Sequence, residues 1–168
     1  GWDWGACLPD GGIFRPVTLL GIETARLDSV YIRQVHKDGK VLLVPEVDVE
    51  TVDEEESEAD GYEGAQALEY QVTVTAPNGT KTIWDDCPDE MEIENPQLWW
   101  PNGLGEQPLY QVQVDLKAGD KIVDTWCRKI GLRTLTMHVE KDQWGESFAH
   151  EVNGYQVFAM GADYIPED

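Results

Sequence analysis

Positive charge is scarce in this chain. Its 168 residues hold 12 Lys and Arg against 33 Asp and Glu, a formal net charge of −21. Nucleic acids and anionic membrane surfaces are recognised by clustered cations, so both are poor partners for such a chain, and most of its surface is expected to be acidic and solvated. Long apolar runs are also lacking: no stretch reaches the ~18 consecutive apolar residues of a membrane-spanning helix. Cysteine is sparse and odd in number, with Cys7, Cys87 and Cys127 far apart and none in a CxxC spacing. A disulfide framework and a zinc site are therefore not expected. Three reduced, mostly buried thiols fit better, and they weakly favour a reducing, cytoplasmic compartment. The three histidines, His36, His138 and His150, are isolated and read as solvated or structural. The acidic run 53–65, DEEESEADGYEGA, offers carboxylates but lacks the alternation of Asp/Asn with a sixth-position Gly that builds a calcium loop. It reads as a solvated loop, and neither metal nor cofactor is expected.

Helical periodicity is missing too, and alternation with period two takes its place. The apolar run 17–22 reads as a short strand. Residues 27–35, LDSVYIRQV, alternate with one irregularity, which directs Leu27, Val30, Ile32 and Val35 inward. Asp38-Gly39 supplies the positive φ of a tight hairpin turn, and 41–52 returns from it. Pro45 within that run implies an edge or a bulge, because it cannot donate to a ladder. Residues 67–76 form a clean strand with Leu68, Tyr70, Val72 and Val74 on one face. A turn at Pro77-Asn78-Gly79, a returning strand 80–84, a short strand 90–94 and an alternating strand 109–116 follow. A turn at Gly119 leads to one long final strand, 121–136, with Gly131 as a bulge. Some seven short strands without a convincing helix predict an all-β, immunoglobulin-like β-sandwich. Beyond it, Asn153-Gly154 marks another hairpin, and 157–161 reads as a buried strand.

One segment stands out chemically. LWWPNGLGEQPLY, 98–110, sets two tryptophans among prolines and glycines, a rigid apolar corner gripping a sandwich edge. Arg128, Lys129 and Arg133 form a small cationic cluster in this acidic chain, for which internal ion pairing is the expected use.

Three motifs in order carry a resemblance. GWDWG (1–5) with GGIFRPVTL (11–19), then LWWPNGLGEQPLYQVQVDL with KIGLRTL (129–135), then HEVNGYQVFAMGADYIPED (150–168) resemble the family-two glycoside hydrolases, most of all their β-mannosidases. The likeness thins between about 25 and 86. It implies that 1–16 end a sugar-binding jelly roll, 17–136 form the immunoglobulin-like domain, and 137–168 open the catalytic (β/α)8 barrel. The implied parent is a retaining exo-hydrolase removing terminal β-mannose. Its two barrel glutamates lie beyond residue 168, so the piece itself is expected to be inactive, an excised fragment whose partners are the jelly-roll and barrel domains of its own parent chain. The resemblance places the sugar-binding acid of the WDW segment on Asp3. It also sets Asp163, Tyr164 and Asp168 at the C-terminal end of the first barrel strand, where barrel active sites lie. The family's pattern often has Asn where Asp163 stands and Trp or Phe at Tyr164. The rival reading is a free-standing carbohydrate-binding or adhesion sandwich, since this fold hosts many functions.

Overall fold

The computed structural model describes residues 11–13, 15–52 and 67–162. The chain divides into two compact units, Gly1–Gly21 with Ala159–Asp168, and Ile22–Phe158. The described residues of the first unit form no strand, and the expected strand at 17–22 is absent: Val17 is 82% and Leu19 99% exposed. A run of apolar residues becomes a strand only where a neighbour pairs with it, and no described neighbour does.

The described residues of the second unit form ten strands: β1 (Ala25–Lys37), β2 (Lys40–Thr51), β3 (Leu68–Thr75), β4 (Lys81–Trp84), β5 (Met91–Ile93), β6 (Tyr110–Ala118), β7 (Lys121–Ile130), β8 (Leu135–His138), β9 (Ala149–Val152) and β10 (Tyr155–Val157). They make three sheets, in the orders β1-β2-β5, β4-β3-β6-β7 and β10-β9-β8, with every strand pair antiparallel. The first two sheets face each other across one core. Leu27, Ile32, Val41, Leu43 and Met91 come from one side, and Val72, Val74, Val112, Val114 and Leu116 from the other. Each such side chain contributes about 1.5–3 kcal/mol on burial, which makes this interleaved set the main support of the immunoglobulin-like sandwich.

Local sequence explains the hairpins. Asp38 (φ 52) and Gly39 (φ 76) both take left-handed backbone, and so do Asn153 (φ 51) and Gly154 (φ 80). This is the two-residue turn whose twist matches that of the flanking strands. The irregularity in β1 is a register shift between Leu27 and Ser29, which lets Leu27 and Ile32 both reach the core. Pro45 pairs with Ile32, past the short stretch 41–43 where β2 meets β5, so its missing N–H interrupts no ladder.

Two further strand expectations fail. The run 121–136 is not one strand: β7 ends at Ile130, and β8 joins a different sheet. The register shift in this pairing lies at Leu116/Lys117 rather than at Gly131. Between the two strands Leu132 is fully buried and bridges Leu98, which turns the chain out of the second sheet. Likewise, the stretch after Val157 is not a buried strand, since Phe158 is 88% and Met160 85% exposed.

Candidate functional site

Asp3, Asp163, Tyr164 and Asp168 all lie outside the described residues, as do Cys7 and the acidic run 53–65. The described residues build a different focus, around the tryptophan corner. Pro96, Pro101 and Pro108 withhold backbone donors, and Gly103 (φ 85) takes a conformation open to glycine, so 98–109 cannot run on as a strand. The backbone N–H of Trp99 donates to the Leu132 carbonyl at 2.9 Å, and the Trp100 N–H donates to the Glu106 carbonyl at 2.9 Å. The ring of Trp100 meets Tyr155 edge-on, with centroids 5.5 Å apart. The ring of Trp99 lies under the Arg133 guanidinium at 4.7 Å.

Asn153 ties this corner to the last hairpin. Its side-chain amide donates to the Trp99 carbonyl at 3.0 Å, and its side-chain oxygen accepts from the Thr134 N–H at 3.0 Å. From the opposite side Gln34 of β1 donates to the Gly131 carbonyl at 3.1 Å and accepts from the Arg133 N–H at 3.1 Å. His36 stands 3.1 Å from the same Gln34 oxygen. That oxygen can only accept, so His36 Nε2 carries the proton. Partial burial lowers the His36 pKa from its ordinary value, opposed by its hydrogen bond with the Arg133 backbone. Three elements that are distant in sequence thus share one polar knot. Gln34 and His36 continue the inward parity of Val30 and Ile32, so Val35, expected inward, falls on the other parity and outside the core.

No group of three or more His, Cys, Asp or Glu that could hold a metal occurs among the described residues. Many carboxylates instead sit on exposed strand faces beside cations: Glu50 and Asp28 with Arg26, Glu46 with Arg33, Glu92 and Glu94 with Lys40. Asp115 is the exception. It is buried on β6 and accepts from the Gln113 amide at 2.8 Å and the Thr125 hydroxyl at 2.7 Å. Nothing in the strand pattern distinguishes it from an outward-facing acid. Cys87 and Cys127 are free and half-buried rather than fully buried, and the Cys87 sulfur accepts from the Tyr70 N–H at 3.2 Å. Ion pairing for Arg128, Lys129 and Arg133 is not found among the described residues. Arg128 lies 5.8 Å over Trp126 and Arg133 stacks on Trp99, where a ring face replaces a carboxylate.

The comparisons with known proteins point one way. The model for glycosyl hydrolases family 2 matches residues 25–133. The β-mannosidase B of Emericella nidulans is 30% identical over 179 residues, covering 100% of this chain and 20% of its own length. That of Thermothelomyces thermophilus is 35% identical over 174 residues, with 100% and 19% covered. The crystal structure of the β-D-mannosidase from Dictyoglomus thermophilum superposes with a TM-score of 0.74 at 28% identity, over 99% of this chain and 20% of that one. A β-glucuronidase from Ruminococcus gnavus shares the fold, with a TM-score of 0.57 at 16% identity, over 82% of this chain and 19% of that one. The chain spans about a fifth of the length of the curated relatives it matches. More than half of its residues fall within the family's match, across both sheets of the sandwich, and the chain belongs to the family 2 glycosyl hydrolases.

Proposed function

We propose that this chain is the non-catalytic immunoglobulin-like domain of a retaining exo-β-mannosidase, flanked by the end of a jelly roll (1–16) and the start of a catalytic barrel (137–168). One observation carries the reading: the whole chain aligns with β-mannosidases from fungi and from Dictyoglomus thermophilum while covering only a fifth of each. The third sheet is in keeping with it. Leu135 and Tyr155 of this sheet, and Phe148 just before β9, are 60%, 66% and 76% exposed, and a small sheet with such exposed apolar side chains is suited to lie against further protein. The chain's role on this reading is to hold its neighbours in register. Asp3 reaches the terminal mannose, and Asp163, Tyr164 and Asp168 lie near that site.

Retaining hydrolysis needs two carboxyl groups about 5–5.5 Å apart, one as nucleophile and one as acid/base. In the parent these are supplied by later barrel strands. The purified chain is therefore expected to show no enzymatic turnover of an aryl β-mannoside, whereas the full-length parent hydrolyses it. In that parent, Asp3→Ala removes a charge-assisted hydrogen bond to the sugar, worth about 1.5–3 kcal/mol, and kcat/KM drops roughly tenfold to hundredfold. Turnover by the isolated chain would overturn the non-catalytic assignment. Parent activity within twofold of wild type after Asp3→Ala would remove Asp3 from the site.

A further inference from the structure

β1 is the last strand of its sheet and β7 the last strand of the other, and the two lie side by side on one flank of the sandwich. They are pinned at two places. The Leu27 N–H donates to Asp124 Oδ2 at 2.8 Å, and Gln34 bonds the Gly131 carbonyl and the Arg133 N–H. Between the pins, among the described residues, no ladder joins the strands. A cleft of about 720 Å³ opens there and continues past the second pin to Leu135 and Thr136. Its floor is apolar, made by Val30, Ile32, Trp126 and Ile130, all of which belong to the core cluster or pack against it. Its rim is cationic, made by Arg33, Arg128, Lys129 and Arg133, all exposed.

The rim's charge state is what makes the cleft unusual. The chain has 12 basic residues against 33 acidic ones, and four of the 12 line this flank. Arg33 pairs with Glu46 at 3.0 Å. Arg128, Lys129 and Arg133 pair with no carboxylate among the described residues, despite the large acidic surplus. Stacking holds two of the guanidiniums by their faces, over Trp126 and Trp99. A guanidinium held by its face can still turn N–H donors of its edge toward an incoming carboxylate.

We propose that this flank is a docking groove for an extended, acidic polypeptide segment carrying apolar anchors. The floor takes the anchors and the rim takes the carboxylates. Between the pins, two strand edges without a ladder partner among the described residues offer backbone groups to an extended chain, a common mode of peptide recognition. Charge complementarity selects the partner. A nucleic acid or an anionic bilayer meets the repulsion of the whole −21 molecule, whereas a short acidic segment meets mainly the local rim. Edge charges also guard strands against aggregation, but that role needs neither an apolar floor nor a pinned opening.

The test uses the 168-residue chain and a short dye-labelled peptide alternating valine with glutamate, followed by fluorescence anisotropy. Saturable binding is expected, weakening with added NaCl and falling at least about tenfold in the Arg128→Glu/Lys129→Glu variant. The Lys81→Glu variant, altered on β4 away from the flank, should bind as wild type does. A peptide with serine in place of valine should bind about tenfold more weakly, since it lacks anchors. The softer pair Arg128→Gln/Lys129→Gln serves if charge reversal disturbs the fold, as checked by far-ultraviolet spectrum and Tm. Three results each overturn the proposal: no saturable binding, equal binding of a valine–lysine peptide, or full binding by the charge-altered variants. Salt-sensitive dimers in sedimentation, lost in the same variants, would assign the groove to a second copy of the chain instead and also overturn it.

Discussion

Gly131 has no room for a methyl group. A Cβ there would sit 2.8 Å from Cγ of Trp99 and 2.9 Å from its Cβ, inside any real contact distance. Its φ is not in the left-handed region, so the constraint is space rather than backbone conformation. Gly131→Ala should therefore cost about 1–3 kcal/mol, the usual range for overpacking, read as a lower denaturation midpoint with an unchanged slope. Trp99→Ala in the same background should recover part of that loss, because it removes Cγ and the ring and leaves only Cβ near the new methyl; strict additivity of the two would mean that they do not touch. His36 makes the second prediction at this scale. Its folded pKa lies below the ordinary value, so the unfolded chain binds its proton more readily. Its contribution to stability is complete above the unfolded pKa of about 6.5 and is lost as pH falls through the folded value. His36→Gln should then narrow the difference in Tm between pH 7.5 and pH 5, relative to wild type. An identical pH dependence in both proteins would show that the ring is too well solvated to matter.

At the scale of elements, the Asn153 side chain ties the β9–β10 hairpin to the tryptophan corner, beside the ladder that β9 forms with β8. Asn153 closes the turn with φ 51 and bonds both Thr134 and the Trp99 carbonyl. Asn153→Ala removes both bonds and strains the turn, yet touches nothing in the two-sheet core. Hydrogen exchange should speed up in β8, β9 and β10 by about tenfold or more, while β6 and β3 keep their protection. Uniform acceleration across all strands would mean that the third sheet and the sandwich unfold as one. The same hairpin shows which elements the sequence makes legible. Asn153-Gly154 and Asp38-Gly39 announce their turns because a two-residue φ > 0 turn is a local matter. The break after Ile130 is illegible, since it depends on Leu98 bridging Leu132 and on Trp99 donating to the Leu132 carbonyl, partners over thirty positions away. For the same reason the run 17–22 reads as a strand and is not one. The cations at Arg128 and Arg133 read as ion pairs, although rings hold them. The expected sugar-facing residues rest on the family resemblance alone, and the polar knot at Gln34 is not legible, because placing Val35 inward turns Gln34 outward.

For the whole molecule, net charge dominates. A formal −21 on 168 residues makes the folded state repel itself. The exposed ion pairs of Arg26, Arg33 and Lys40 are screened by solvent and offset little of this. Raising salt from 10 mM to 1 M shortens the screening length from about 30 Å to about 3 Å, so repulsion should fade and Tm should rise by several degrees. A Tm that falls instead would show that the ion pairs outweigh the surplus. The two pins of the flank carry a further consequence, this time for the order of folding. Leu27 bonds Asp124 and Gln34 bonds Gly131, each across 97 positions of chain. Neither closure can form until nearly the whole sandwich has been synthesised, and contacts so remote slow the search for the native state. In the meantime the inner face of β1 is uncovered on that side, an adhesive strip during biogenesis. Refolding should then be slow, and losses to aggregation should grow with protein concentration.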